Sequence, residues 1–479
     1  MGAPELNRYD EGVQVEAEPS VFDVLVLGAG SGGYACALRA AQLGLTVGLV
    51  EKDKLGGTCL HVGCIPTKAL LHAAEIADNT REAATFGVQA TLEGIDLTGV
   101  NDYKDGVVSR LYKGLAGLIK SRGIRVIEGA GTLTGAHEVT VDGKAYTGTH
   151  VVLASGSYPR SLPGLELDGE RVLTSEEALR LTEVPKSAIV LGGGVIGCEF
   201  ASVWKSFGAD VTILEALPHL VPAEDEQSSK ALERAFKKRG IEFKVGTPFQ
   251  SVKVTDSGVA VTVEGANGDS SVLEADLLLV AVGRGPATDG LGYAEVGVEM
   301  ERGFVLTDER CRTNVDGVYA VGDIVPGLQL AHRGFAQGIF VAEDIAGLDP
   351  TPIDEAGIPR VTYSHPEVAS VGLSEAAAKE AYGVDGVESL TYDLGGNGKS
   401  QILRTQGFVK LVRRKDGPVV GVHMVGDRVG ELIGEAQLIY NWEAYADDVA
   451  PLVHAHPTQN EALGEAHLAL AGKALHAHS

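Results

Sequence analysis

Short apolar runs alternate with amphipathic stretches along most of the chain, and this alternation predicts an α/β fold. The run Val21–Leu27 is followed by a glycine-rich turn, a helical stretch and a second apolar run that ends at Glu51. The same order returns after the run Ser187–Leu191 and ends at Glu215. The pattern therefore predicts two βαβ units in one chain.

The two units form an internal repeat, because residues 28–51 and 192–215 align without a gap and carry glycine at the same three places. The first glycine permits a tight turn, the second lets the backbone touch a pyrophosphate, and the third allows close helix–strand packing. One such cluster could be an ordinary turn, but two copies indicate two dinucleotide sites and two cofactors. The glycines are Gly28, Gly30 and Gly33 in the first copy and Gly192, Gly194 and Gly197 in the second.

A glutamate ends each repeat and is placed to hydrogen-bond a ribose hydroxyl group. The carboxylate of Glu215 would repel a 2′-phosphate, and the next four residues include no arginine that could receive one. NAD is therefore favoured over NADP at the second site. We expect Glu51 to contact the ribose of the first cofactor in the same way.

Two cysteines, Cys59 and Cys64, lie in the segment GGTCLHVGCIPTK directly after the first repeat. In a regular helix their α-carbons would be about 8–9 Å apart, beyond the ~7 Å that a disulfide tolerates. A bridge would need a distorted backbone, and Gly63 is the expected hinge. A helix that begins beside Cys64 would stabilise its thiolate. The alternative is a pair of buried apolar cysteines, which is how we interpret Cys36, Cys198 and Cys311.

Two histidines near the end of the chain, His454 and His456, precede Glu461. A histidine held by a carboxylate can take a proton from a dithiol, whose thiolate is the nucleophile in disulfide exchange. A structural histidine or a metal pair are the alternatives. No further cysteine or histidine ligand lies nearby in the sequence, so no metal is predicted.

The formal net charge of −25 disfavours nucleic acid and anionic membranes and favours basic partners. No apolar stretch approaches the length of a membrane span, and Met1–Ser20 is acidic rather than signal-like. Only five cysteines occur, which argues against a secreted disulfide framework. We expect a cytoplasmic protein with a mobile tail over residues 1–20.

Four segments resemble the pyridine nucleotide–disulfide oxidoreductases, and the resemblance extends from about Val21 to Leu468. They are GGTCLHVGCIPTK (56–68), VGDIVPGLQLAH (321–332), SHPEVASVGLSE (364–375) and HAHPTQNE (454–461). The motifs are most similar to those of members that oxidise a protein-bound dihydrolipoyl group and reduce NAD. His61, Thr67 and the pair Gln459–Asn460 depart from the usual pattern, and His61 could shift the potential of the cysteine pair.

The resemblance implies a role for each matching residue. Cys59 would meet the dithiol substrate, Cys64 would face the flavin, and His456 would act as the acid–base, oriented by Glu461. The implied cofactor-binding residues, besides the six repeat glycines and their two glutamates, are Lys68, Gly131, Glu199, Gly283, Asp323 and Ala331.

The resemblance also implies two doubly wound dinucleotide-binding domains, for FAD and NAD, and a C-terminal α/β dimerisation domain. The expected boundaries are 21–160 with 290–354 for the FAD domain, 161–289 for the NAD domain and 355–479 for the dimerisation domain. Expected partners are a second copy of the chain and the lipoyl domain and basic subunit-binding region of a 2-oxoacid dehydrogenase acyltransferase.

Other family members fit less well. Mercuric and large thioredoxin reductases carry extra redox groups near the C-terminus, whereas no cysteine follows Cys311 here. Glutathione reductase would need basic residues beside Glu215. A non-catalytic flavin-bearing scaffold remains an alternative of another class, although a scaffold has no need of both Cys59 and Cys64.

Overall fold

The computed structural model of the protein describes residues 20–265 and 268–476. Apart from Ser20, the predicted mobile tail lies outside the described residues. The helices are α1 Ser31–Gln42, α2 Gly57–His61, α3 Cys64–Glu82, α4 Leu97–Ser121, α5 Ser175–Ala178, α6 Val195–Phe207, α7 Glu226–Arg239, α8 Tyr293–Val296, α9 Ala331–Ile345, α10 Glu375–Tyr382, α11 Gly398–Leu403, α12 Val429–Asn441, α13 Ala446–Val449 and α14 Glu461–Leu470. Short 3-10 turns occur at Ala83–Phe86, Gly322–Ile324, Glu355–Gly357, Val384–Gly386 and Leu394–Gly396.

The strands in the described part of the chain are mostly short. They are β1 Val21–Leu27, β2 Val47–Glu51, β3 Arg125–Glu128, β4 Gly131–Gly135, β5 Glu138–Val141, β6 Lys144–Leu153, β7 Ser157–Pro159, β8 Val172–Leu173, β9 Ser187–Leu191, β10 Asp210–Leu214, β11 Glu242–Lys244, β12 Phe249–Thr255, β13 Gly258–Glu264, β14 Ser270–Ala275, β15 Leu277–Val280, β16 Arg284–Pro286, β17 Met300–Glu301, β18 Phe304–Val305, β19 Val318–Ala320, β20 Arg360–Thr362, β21 Glu367–Gly372, β22 Val387–Asp393, β23 Phe408–Arg414 and β24 Val419–Gly426.

The first sheet contains the first βαβ unit. Strands β3, β2, β1, β6 and β19 lie side by side and are parallel, while β4 and β5 extend β6 as an antiparallel meander. Strand β1 is apolar along most of its length because helices cover the parallel sheet. Helices α1 and α9 pack against each other on one face.

The second sheet repeats this arrangement with β11, β10, β9, β15 and β8 in parallel order. An antiparallel meander, β12–β13–β14, again accompanies it. The alternation of apolar and polar residues over Val252–Val263 predicts a strand, but a turn at Asp256 and Ser257 divides this segment into β12 and β13. The turn is not evident from the sequence, because it is only two residues long and the alternation of apolar and polar residues continues on both sides of it.

The second sheet is inserted into the first, since β8 to β15 lie in the chain between β6 and β19. Strands β7 and β16 form an antiparallel pair where the chain leaves and returns. The sequence pattern from Ala69 to Gly123 predicts a helical region, and the structure divides that region into two helices, α3 and α4, with irregular chain between them from Gly87 to Asp96.

The third sheet is antiparallel, in the order β20–β21–β24–β23–β22. Helices α12 and α14 pack on it over a separate apolar core that includes Leu411, Met424 and Leu463. The predicted fold class is confirmed, with two parallel nucleotide-type sheets and one further α/β unit. Within the described ranges, no helix has both the length and the apolar character that crossing a membrane requires.

Candidate active site and nucleotide loops

The first and third glycines of each repeat are required by the packing of the protein itself. Gly28 and Gly192 have φ of +106° and +112°, a region that side chains other than glycine rarely adopt. A Cβ on Gly33 would lie 1.8 Å from the Gly28 oxygen, and one on Gly197 would lie 1.9 Å from the Gly192 oxygen. The helices α1 and α6 therefore approach their preceding strands as closely as the repeat predicted.

The middle glycines, Gly30 and Gly194, are explained differently. Their φ angles of −70° and −75° suit any residue, and a Cβ on either would meet no protein atom within 4 Å. Each faces open space at the N-terminus of a helix, where backbone N–H groups and the helix dipole attract phosphate. Both loops thus fit the pyrophosphate of a dinucleotide.

The glutamates that end the repeats lie beside these loops. Glu51 accepts a hydrogen bond from the Ala29 N–H at 2.8 Å, and Glu215 accepts one from the Gly193 N–H at 2.7 Å. The equivalent geometry in both units supports equivalent roles. Each carboxylate has acceptor capacity left for a ribose hydroxyl group.

The cysteine segment lies against the first glycine loop, because a Cβ on Gly57 would be only 2.7 Å from the Gly30 α-carbon. Helix α2 ends at His61, the backbone breaks at Gly63, and α3 begins at Cys64. The distortion therefore occurs at the expected hinge. His61 itself contacts the Leu55 carbonyl at 2.9 Å rather than a cysteine.

Cys59 and Cys64 are free thiols that hydrogen-bond to each other. The hydrogen bond from Cys59 and the positive charge of Lys68 lower the pKa of Cys64 to about 7, although burial opposes them. The pKa of Cys59 is raised by the same hydrogen bond and by burial. Cys64 is thus the thiol that ionises near neutral pH.

Lys68, one turn along α3 from Cys64, is partly buried and forms an ion pair with the buried Glu199 of α6. The Lys68 Nζ lies 2.8 Å from both carboxylate oxygens, and the Glu199 side chain is only 3% exposed. Burial works against the charge, but Glu199 outweighs it and raises the pKa of Lys68. Tyr363, which no sequence motif predicts as part of the site, donates its N–H to Glu199 at 3.0 Å, and its ring lies beneath Lys68.

Asp323, in the turn before α9, accepts a hydrogen bond from the Ser157 hydroxyl at 2.5 Å. Arg284 donates to the same hydroxyl at 2.7 Å and lies next to Gly283 in the chain. Ser157 and Arg284 belong to the β7–β16 pair and were not predicted, since neither lies in a recognisable motif. The structure places Gly283 in a left-handed turn with open space in front of it.

The two remaining predicted cofactor residues lie at the starts of elements. Ala331 is the first residue of α9. Gly131 is the first residue of β4, where a Cβ would lie 2.6 Å from the Leu27 side chain. Gly131 is therefore required by packing against the first sheet, whereas Ala331 lies at a helix N-terminus, close in the chain to Asp323.

His456 and Glu461 form the predicted pair, with the His456 Nδ1 2.9 Å from the carboxylate. The other carboxylate oxygen accepts from the Thr458 N–H at 2.8 Å, which holds Glu461 in place. The imidazole is 79% exposed. No hydrogen bond or ion pair among the described residues connects this pair with Cys59 or Cys64. Apolar residues near it in the chain are also exposed, including Trp442 and Val453.

Comparison with known proteins agrees with this geometry. Residues 22–338 match the family described as pyridine nucleotide-disulphide oxidoreductase, and residues 358–467 match the dimerisation domain of that family. The chain belongs to the pyridine nucleotide-disulphide oxidoreductases. The predicted cofactors of this oxidoreductase, FAD and NAD, are confirmed, and the match to the dimerisation domain supports the predicted homodimer.

The similar members of the family match this chain over nearly its whole length and nearly the whole of their own. A dihydrolipoyl dehydrogenase of Bacillus subtilis is 41% identical over 471 residues, which cover 95% of this chain and 99% of the relative. One from Chlorobaculum tepidum is 43% identical over 461 residues, covering 95% and 98%. The solved structure of LpdA from Mycobacterium tuberculosis is similar with a TM-score of 0.87 at 27% identity, covering 93% and 99%.

Proposed function

We propose that the protein oxidises a protein-bound dihydrolipoyl group to its cyclic disulfide and reduces NAD⁺ to NADH. The observation that carries the proposal is the contact between the Cys59 and Cys64 thiols, beside the first glycine loop and one helical turn from the Lys68–Glu199 pair. The relatives named dihydrolipoyl dehydrogenase support the same activity.

The reaction begins with Cys59 and Cys64 joined as a disulfide. His456 accepts a proton from one substrate thiol, and the resulting thiolate attacks Cys59, so that Cys64 leaves as a thiolate. The second substrate thiol loses its proton and attacks the mixed disulfide, which closes the substrate disulfide and releases Cys59. Two electrons and two protons have then left the substrate.

FAD, when bound, carries this electron pair from the cysteines to NAD⁺, which becomes NADH while one proton is released. Charged side chains of the protein stabilise the charges that form during these steps. Lys68 stabilises the Cys64 thiolate, and Glu199 keeps Lys68 in position. Glu461 orients His456 through the contact between its carboxylate and Nδ1.

We assign FAD to the first glycine loop and NAD to the second. The residues we assign to the FAD site, besides the glycines of its loop, are Glu51, Lys68, Gly131, Glu199, Asp323 and Ala331, and those we assign to the NAD site are Glu215 and Gly283. The corresponding domains are 21–160 with 290–354 for FAD, 161–289 for NAD and 355–479 for dimerisation. The exposed His456 would complete the active site of the partner subunit.

The acidic surface favours the basic subunit-binding region of a 2-oxoacid dehydrogenase acyltransferase, whose lipoyl domain would supply the dithiol. A cytoplasmic location agrees with the presence of only five cysteines in 479 residues, which argues against a secreted disulfide framework.

A steady-state assay with dihydrolipoamide and NAD⁺, beside glutathione disulfide and NADPH, tests the activity. We expect turnover only with the first pair of substrates. Cys64→Ser should abolish that turnover, whereas Cys311→Ala, at a buried cysteine outside the site, should retain it. Absence of dithiol oxidation in the FAD-loaded wild-type protein would contradict the proposal and favour a scaffold.

A further inference from the structure

The segment after β10 connects the second glycine loop with the third sheet. Val221 donates its N–H to the Gly193 oxygen at 2.7 Å, inside the loop assigned to NAD. Its φ is +42°, and its side chain is buried. A β-branched residue in the left-handed region is strained and persists only where its surroundings hold it. The geometry of this loop therefore depends on what holds the segment beyond Val221.

Asp225, four residues on, is held by a buried lysine of the third sheet. Lys410 of β23 is 4% exposed, and its Nζ lies 2.8 Å from the Asp225 carboxylate. The same carboxylate also accepts from the N–H groups of Gln227 and Glu375. Asp225 therefore caps the N-terminus of α7 and also pairs with Lys410 of the third sheet.

The adjacent Glu224 makes a second connection of the same kind. Its carboxylate accepts from the Ser370 hydroxyl of β21 and lies 3.4 Å from the Arg360 guanidinium of β20. Two consecutive carboxylates of the unit that contains the second glycine loop, Glu224 and Asp225, therefore contact side chains of the third sheet. The Glu375 carboxylate of α10 also lies 2.8 Å from the Lys410 Nζ, so that Lys410 bridges two carboxylates.

We propose that Lys410 is a positioning residue for NAD, because its pairing with Asp225 fixes the segment through which Val221 holds Gly193. The inference rests on the proposed function only in placing NAD at the second glycine loop. A buried carboxylate that loses its cation must recruit water or move, since an unpaired buried charge is costly. Either response releases the strained Val221 and loosens the loop that receives the pyrophosphate.

The effect should be confined to the NAD half of the reaction. Asp225, Lys410 and Glu375 make no hydrogen bond to Cys59, Cys64 or the His456–Glu461 pair among the described residues. Loss of Lys410 should therefore weaken NADH binding while the dithiol still reduces the flavin at the wild-type rate. A residue needed only for general stability would impair both halves.

Lys410→Met is the test, with Lys379→Met as the matched control. Lys379 binds the same Glu375 carboxylate but lies on the surface and does not touch Asp225. We expect the Kd for NADH and the KM for NAD⁺ to rise about 5- to 150-fold in Lys410→Met. Both should stay within twofold of wild type in the control.

Two further variants keep the proposal testable if Lys410→Met folds poorly. Asp225→Asn keeps an acceptor for the α7 N–H and leaves Lys410 paired with Glu375, and we expect a rise in the same direction. Lys410→Arg should largely restore NADH binding. The measurements are NADH titration of the FAD-loaded dimer and rapid flavin reduction by dihydrolipoamide without NAD⁺.

NADH binding within twofold of wild type in both Lys410→Met and Asp225→Asn would overturn the inference. A proportional loss of flavin reduction in these variants would also overturn it, because the effect would then be general. Wild-type protein that binds NADH but does not oxidise dihydrolipoamide would overturn the proposed function alone, since the NADH titration still measures what Lys410 does.

Discussion

Replacing Gly194 by alanine is expected to weaken NAD binding without disturbing the fold. The backbone at Gly194 is extended, with φ of −75° and ψ of −169°, and the added Cβ meets no protein atom within 4 Å. The cost to folding should be about 1 kcal/mol or less, the difference between glycine and alanine at a helix N-cap. The methyl group would instead occupy space that the pyrophosphate needs.

Overpacking of such a contact costs about 1–3 kcal/mol, which corresponds to a rise of about 5- to 150-fold in the Kd for NADH at 1.4 kcal/mol per decade. NADH titration measures this effect, while FAD content and Tm report on the rest of the molecule. Gly30→Ala should likewise weaken FAD binding to the apoprotein and leave the NADH site intact.

Gly197→Ala provides the contrast, because its Cβ would lie 1.9 Å from the Gly192 oxygen and must displace the backbone. That variant should lose stability as well as NAD binding. If Gly194→Ala binds NADH as tightly as wild type, the open space in front of Gly194 does not hold the pyrophosphate and our assignment of the loop is wrong.

Three other predictions concern the thiols, the nucleotide preference and the partner subunit. Alkylation of Cys64 in the reduced protein should accelerate as pH rises through about 7, because the thiolate is the reactive form and the pKa of Cys64 is lowered. Lys68→Met should move the midpoint of this pH dependence upward, and an unchanged midpoint would contradict the role of Lys68. The kcat/KM for NADH should exceed that for NADPH about 10- to 200-fold, because Glu215 repels a 2′-phosphate; equal values would refute this. Mixing inactive Cys64→Ser and His456→Ala subunits should restore about a quarter of wild-type activity, and no recovery after confirmed subunit exchange would exclude action of His456 in the partner's site.

Local chemistry along short segments was sufficient to predict several features of the protein. Strand β1 coincides with the apolar run that predicted it, and the first and third glycines of each repeat allow the tight turn and the close helix–strand packing that their spacing implied. The hinge at Gly63 followed from the distance that a disulfide tolerates. His456 and Glu461 could be paired because they are five residues apart. Such features are readable because each rests on spacing along one short segment.

Contacts between residues that are distant in the chain depend on how the sheets pack together, and they could not be predicted from the sequence. Tyr363 reaches Glu199 across 164 positions, Ser157 reaches Asp323 across 166, and Lys410 reaches Asp225 across 185. The sequence around a single tyrosine, serine or lysine contains no pattern that identifies the residue it will contact. Burial decides the strength of these contacts, because a charge removed from water must be paired at close range. The packing of the third sheet against the nucleotide units, rather than any motif, therefore sets the surroundings of the ion pair beside Cys64 and of the second glycine loop.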